Sequence, residues 1–341
     1  MKQKNQERKP VPHNVFVTGI PQLIYSAGIP NLSFNQVTLV QIADDSARDG
    51  NRPFSMTFEI MQDICTALDI PFKRIHVKEI QDFSFGENDV IDCQIQFRLH
   101  RKAHAYKCKI LAAQHEYVNI KRPRIFSRPS QSWKKRINFW LRLVIPNRMW
   151  RIFSLTPNPP FGLINEISIN QSQVKKFRSQ INAQLAKLDK YDFLSQEHDS
   201  NALFVLPIPQ HWGGNLEVQK DFFSAVKERV ENLPVKTIII KNHPSDSTDY
   251  LLLLREFGIK FTQDVSNFNS VLTRILPLEI IVESYGRYNF IGTESTVYLT
   301  LSQYVSEATV IIDCIRQTPR KLQEYQTGEI RSFYEHHVIE I

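Results

Sequence analysis

Cysteine is scarce in this 341-residue chain, with four in all. Cys65, Cys93, Cys108 and Cys314 are scattered and form no Cys-x-x-Cys pair. That argues against a zinc site or a disulfide framework and leaves reduced cytosolic thiols. No uninterrupted apolar run approaches the ~20 residues of a membrane span. The start, Met1 to Lys9, lacks the apolar core of a secretory signal. A cytoplasmic protein is expected, at most peripheral on the inner membrane face. There is no internal repeat, no Gly-x-Gly-x-x-Gly, no Walker sequence and no Asp-x-Asp. Solenoids and the commonest nucleotide signatures are thereby set aside.

What is present is globular in composition, with 42% apolar and 23% charged residues. The length allows two domains, each able to bury a core. The net charge of +7 suits an anionic partner: a nucleotide, an acidic glycan, a membrane surface or nucleic acid. Nucleic acid has only charge in its favour, since no recognition motif accompanies it. Between Arg98 and Arg151 fifteen lysines and arginines surround a single acid, Glu116. So lone a carboxylate, just after a strand candidate (Lys109 to Ala113), reads either as a functional base or as one half of a structural ion pair.

Strand and helix patterns alternate along the chain, which implies parallel sheets covered on both faces. In the first half the strands are read at Val15 to Thr18, Val37 to Ile42, Arg74 to Val77, Val90 to Leu99 and Lys109 to Ala113, with a helix over Phe58 to Leu68. Trp133 to Trp150 reads as an amphipathic helix with a basic face, either packed in the fold or turned to an anionic acceptor or membrane surface. Thr156 to Gly162, rich in proline, is the best linker. It divides an N-terminal domain (1–155) from a C-terminal domain (166–341) across a 156–165 linker. Helices are expected over Gln173 to Lys190, Leu216 to Leu233, Asp249 to Phe257 and Pro277 to Glu283. Strands are expected at Leu203 to Leu206, Thr237 to Ile240, Ile259 to Phe261 and Tyr288 to Ile291. The last segment, Arg320 to Phe333, is expected to pack back across the domains.

The chemistry concentrates in the second half. The strand Thr237 to Ile240 delivers Lys241 and His243 to its carboxyl end, and Pro244 stops the pairing. The strand near Tyr288 runs through Gly292 into Ser295 and Thr296 and then a helix-like run. Hydroxyls at such a helix start suit a phosphate. Between them lies Leu276-Pro-Leu-Glu279. Each feature has an ordinary reading as well: His243 as a loop hydrogen-bonder, Glu279 as a helix-surface charge, Ser295 as an N-cap. His211 and Trp212, in Gln210-His-Trp-Gly-Gly214, read equally as packing or contact.

In order and spacing, Lys241-x-His-Pro244, Pro277-x-Glu279 and Gly292-x-x-Ser-Thr296 resemble the C-terminal half of bacterial sialyltransferases, nearest to glycosyltransferase family 52 and the bacterial polysialyltransferases. The resemblance implies an α/β fold of two Rossmann-like domains facing a cleft, the GT-B type. It implies CMP-sialic acid as donor, with His243 as general acid on the departing phosphate. Lys241, Pro244, Glu279, Gly292, Ser295 and Thr296 would bind the donor, Glu279 at the ribose. Thr18-Gly-Ile-Pro-Gln22 resembles the family's first strand–helix turn with an insertion. Gly19 and Gln22 then line the sugar pocket, or form a plain turn. The family's paired acids and glycine correspond to His115-Glu116-Tyr117. The second acid is kept and the first acid and glycine are not, so Glu116 is the implied base and His115 its substitute.

Acid and base on opposite sides imply inversion, and the lack of Asp-x-Asp implies transfer without a metal or other cofactor. The implied acceptor is a glycan hydroxyl of a surface polysaccharide or lipooligosaccharide, compatible with an anionic one. Two alternatives stand beside this: a transferase for another CMP-activated acidic sugar such as Kdo, and a non-catalytic nucleotide- or glycan-binding descendant.

Overall fold

A computed structural model of the chain describes residues 14–43, 54–76, 86, 89–92, 109–112, 151–154, 165–195, 198–210, 214–292, 310–313 and 338–340. The chain divides into two compact units, Met1–Arg48 with Met61–Arg178, and Asp49–Ile60 with Ser179–Ile341.

The first unit is built on a seven-stranded, wholly parallel sheet. Its strands are β1 (Asn14–Val17), β2 (Thr38–Ala43), β3 (Phe72–His76), β4 (Val90–Asp92), β5 (Lys109–Ala112), β6 (Arg151–Ser154) and β7 (Asn165–Ser168). Their spatial order is β3-β2-β1-β4-β5-β6-β7. Val15, Phe16, Val17, Leu39 and Val40 are almost fully buried, as central parallel strands require. The sheet continues to Ser168, beyond the segment expected as linker, because Asn165–Ser168 finds its ladder partners on Arg151–Ser154. The expected helix Trp133 to Trp150, the Pro-rich stretch 156–162 and the segment Arg320 to Phe333 lie outside the described residues.

The second unit repeats the design. Strands β8 (His198–Leu206), β9 (Thr237–Lys241), β10 (Asp264–Phe268), β11 (Tyr285–Gly292), β12 (Val310–Asp313) and β13 (Val338–Glu340) stand in the order β10-β9-β8-β11-β12-β13, again all parallel. In both sheets the order over the first six strands is the 3-2-1-4-5-6 of a dinucleotide-binding Rossmann sheet. Leu203, Val205, Ile238, Ile240 and Ile291 pack with Phe222, Phe223, Val226 and Val230 from the helix Leu216–Val230. Asn215 caps that helix by accepting from the Val218 amide at 3.0 Å.

One strand moved. Ile259 to Phe261 is not a strand; the ladder forms at Asp264–Phe268 instead. Gly258 adopts φ +66°, its amide reaching Arg255 O, while the Ile259 amide donates to Leu254 O at 2.9 Å. This is a Schellman closure of the helix Tyr250–Glu256, and Ile259 is its hydrophobic follower rather than a strand residue.

Candidate functional site

A parallel sheet presents its ligand crevice at the carboxyl ends of the strands, where the strand order reverses. In the second sheet that reversal falls between β8 and β11, whose last residues, Leu206 and Gly292, are register partners. Next to β8 lies β9, with Val205 opposite Ile240. So the chain leaving Lys241 emerges at the same edge, one strand from the reversal. β9 reaches there because Ile238, Ile239 and Ile240 are buried and β-branched, suited to a central strand.

Beyond β9 the backbone is closely tied. His243-Pro-Ser-Asp246 is a β-turn in which the Asp246 amide donates to His243 O at 2.9 Å. Pro244 occupies the position whose φ proline presets. Asn242, 1% exposed, donates through Nδ2 to Asp246 O and Thr248 O. The Asp246 carboxylate accepts from the Thr248 amide and hydroxyl and from Tyr250 Oη at 2.6 Å. Burial, with the Asp246 charge behind it, raises the Tyr250 phenol's pKa and keeps it a donor. His243 is half-buried, and its Nδ1 lies 2.7 Å from Ser245 Oγ and 3.2 Å from the Ser245 amide.

Beneath the turn lies a buried charge cluster. Lys241 is 6% exposed and donates from Nζ to Asn242 O and Arg274 O at 3.0 and 2.9 Å. Burial pulls its pKa down to about 7; Glu279 opposes the shift and Arg274 adds to it. Glu279 is 3% exposed, which disposes of its reading as a surface charge. Its short helix, Leu278–Ile281, is braced by the helix Gln171–Leu185: Asn182 Nδ2 donates to Ile280 O and to Ser284 Oγ. The Lys241 ammonium is thus satisfied by backbone carbonyls at the foot of the site. Pro244 is exposed on the turn, and Gly292 is buried at the end of β11.

The loop after β8 is held by a close approach. A Cβ on Gly214 would sit 2.3 Å from Ile208 O, and Gln219 Nε2 donates to that carbonyl. Glycine at 214 therefore serves packing of the loop on its own strand end. In the first unit, Gly19 and Gln22 lie at the carboxyl end of β1, beside that sheet's own reversal between β1 and β4. Gly19 has ordinary extended geometry, and Gln22 is buried. A Cβ at residue 19 would sit 3.2 Å from Gln22 Oε1.

The structure gathers Lys241, His243, Pro244, Glu279 and Gly292 in one unit and Gly19 and Gln22 in the other. Glu116, His115, His211, Trp212, Ser295 and Thr296 lie outside the described residues. Asn242, Ser245 and Asp246 were missed from the sequence. The signal was there: Asn-x-Pro-Ser-Asp-x-Thr is a run of side chains that bond their own backbone.

No family model matches the chain, and no curated protein matches it in sequence. Solved structures do. The α/β-galactoside α-2,3-sialyltransferase of the luminous marine bacterium Photobacterium phosphoreum is similar at 12% identity and TM-score 0.53, over 98% of this chain and 99% of that one. The UDP-GlcNAc 2-epimerase of Methanocaldococcus jannaschii is similar at 10% identity and TM-score 0.52, over 97% and 89%. A sialyltransferase of Photobacterium damselae, residues 113-497 corresponding to its GT-B domain, aligns at 10% identity and TM-score 0.47, over 97% and 100%. The chain has a sialyltransferase-like fold of GT-B type, built from two Rossmann-type units.

Proposed function

We propose that the protein is an inverting, metal-independent glycosyltransferase that moves sialic acid from CMP-sialic acid to a glycan hydroxyl, on a surface polysaccharide or lipooligosaccharide. The observation that carries the reading is the placement of His243. It sits in a proline-set turn at the carboxyl edge of the second sheet, one strand from the reversal where Gly292 leads toward Ser295 and Thr296.

Cleaving the donor's glycosidic bond leaves negative charge on the CMP phosphate and positive charge on the sugar. His243 protonates the departing oxygen, an imidazole's task near neutral pH. Ser295, Thr296 and the amides after them take the phosphate, and Glu279 takes the ribose. Lys241 contributes positive potential from below. Gly19 and Gln22 face the sugar, and Glu116 removes the acceptor proton. The net charge of +7 favours an anionic donor and acceptor, and the protein works in the cytoplasm or on the inner membrane face. Among the described residues no helix is long and apolar enough to cross a membrane.

The fold is also that of an epimerase of UDP-GlcNAc, so the test offers both nucleotide sugars. Release of CMP from CMP-sialic acid with transfer to a galactoside or sialylated acceptor is expected, with no conversion of UDP-GlcNAc. His243→Ala should lower kcat by about 10²- to 10⁴-fold. Unchanged transfer in that variant defeats the assignment, and turnover of CMP-Kdo alone replaces the donor. Binding of CMP without turnover of any sugar favours a non-catalytic role.

A further inference from the structure

The two ring nitrogens of His243 are not equivalent. Nδ1 faces the Ser245 amide at 3.2 Å and the Ser245 hydroxyl at 2.7 Å. A backbone N–H can only donate, so in the neutral ring Nδ1 is the bare nitrogen and the hydrogen sits on Nε2. The hydroxyl is adaptable: it donates to a bare Nδ1 and accepts from Nδ1–H once the ring is cationic. Ser245 owes its own position to the backbone. Pro244 precedes it, the Asp246 amide closes the turn on His243 O, and the buried Asp246 carboxylate anchors the far side through Thr248 and Tyr250.

We infer that Ser245 is a positioning residue: it fixes neutral His243 as the Nε2–H tautomer and follows Nδ1 through the proton cycle, so that Nε2 is the nitrogen offered to a phosphate oxygen. The catalytic consequence rests on the proposed transfer reaction, while the tautomer does not. In that reaction the imidazolium passes its Nε2 proton to the phosphate oxygen as the sugar–oxygen bond breaks and its electron pair goes to that oxygen. The ring is left with a hydrogen on Nδ1, donated to Ser245 Oγ. A solvent hydronium then protonates Nε2, the Nδ1 proton passes through the Ser245 hydroxyl to water, and the amide holds the ring in the resting tautomer until solvent again protonates Nδ1.

The test is ring ¹⁵N spectroscopy of the full-length protein, histidine-labelled, above the ring's titration, with His243→Ala to assign the signals. The wild-type ring should show a protonated Nε2 and a bare Nδ1. Ser245→Ala keeps the amide, so the neutral ring should stay Nε2–H, but it loses the hydroxyl that accepts from Nδ1–H and should lower kcat with CMP-sialic acid about fivefold to tenfold, the weight of one hydrogen bond, leaving KM within about twofold. Ser245→Thr keeps the hydroxyl and should restore kcat. A wild-type ring hydrogen on Nδ1 overturns the inference, as does Ser245→Ala with unchanged kcat. If wild-type protein turns over no CMP-sugar, the proposed function falls, and the ring spectra still decide the tautomer.

Discussion

The two sheets share a strand order but bury charge at opposite edges. In the first, Asp89 stands directly before β4 and takes the Asn14 amide, Asn14 Nδ2 and the Gly86 amide, fastening the amino ends of β1 and β4. Among the described residues, the buried polar side chains nearest its carboxyl edge, Gln22 after β1 and Gln41 beside Val17, are neutral amides. In the second, Lys241, Asp246 and Glu279 are all buried at or near the carboxyl edge. A charge at an amino edge is a fastener. Charges at a carboxyl edge stand where such sheets bind ligands, and burying them costs stability unless each is compensated. The second unit bears that cost, and the bonds that compensate Asp246 also hold the far side of the His243 turn.

The largest expected effect follows from Lys241. Its folded-state pKa, about 7, lies below the ordinary 10.5 because burial disfavours the ammonium. Between those values an unfolded chain holds more protons than the folded one, so stability rises with pH across that window. Below about 7 both states are protonated and the burial cost is fully felt. The slope approaches ~1.4 kcal/mol per pH unit for one proton. Denaturant midpoints at pH 7 and pH 10 should differ less in Lys241→Met than in the wild type. An identical pH dependence in the two proteins would mean that Lys241 is not the group responsible.

Next in size is Asp246→Ala. It strips the acceptor from the Thr248 amide and hydroxyl and from Tyr250 Oη, which is fully buried. A buried donor left without a partner costs about 1–3 kcal/mol, so a loss of roughly 3 kcal/mol is expected. Tyr250→Phe, which removes only one donor, should cost less. The comparison sharpens if Asp89→Ala, at the fastening edge, destabilises the protein without changing His243's ring spectrum, while Asp246→Ala changes both.

These contrasts also mark what the sequence could disclose. Thr-Ile-Ile-Ile-Lys followed by Asn-His-Pro is legible as a buried strand ending in a turn, because β-branched runs and proline act locally. The burial of Glu279 was not legible. Pro-Leu-Glu-Ile-Ile is too short for a periodicity to tell an inward face from an outward one, and the bracing comes from Asn182, about a hundred residues away in sequence. Strand β10, Asp264-Val-Ser-Asn-Phe, escaped notice because an edge strand with one ladder neighbour can be polar, whereas the more apolar Ile259-Lys-Phe drew the assignment. Asp246 was missed because its burial depends on Tyr250, which closes over it from the start of the next helix.

The smallest effect tests whether glycine marks a ligand or a packing contact at the two strand ends. Gly19 and Gly214 both lie near carboxyl edges, yet an added methyl meets different things. At 214 it would come 2.3 Å from the backbone oxygen of Ile208, which can yield only if the strand end moves. Overpacking of that kind costs about 1–3 kcal/mol. At 19 it meets Gln22 Oε1 at 3.2 Å, the far end of a flexible side chain, and φ −159° suits any residue. Gly19→Ala should therefore change stability by less than ~0.5 kcal/mol. That leaves its effect on KM for the donor as a clean readout. A several-fold rise in KM with an unchanged denaturant midpoint makes the first turn part of the sugar pocket. An unchanged KM makes it a plain strand-to-helix turn, and confines the donor chemistry to the second unit's edge.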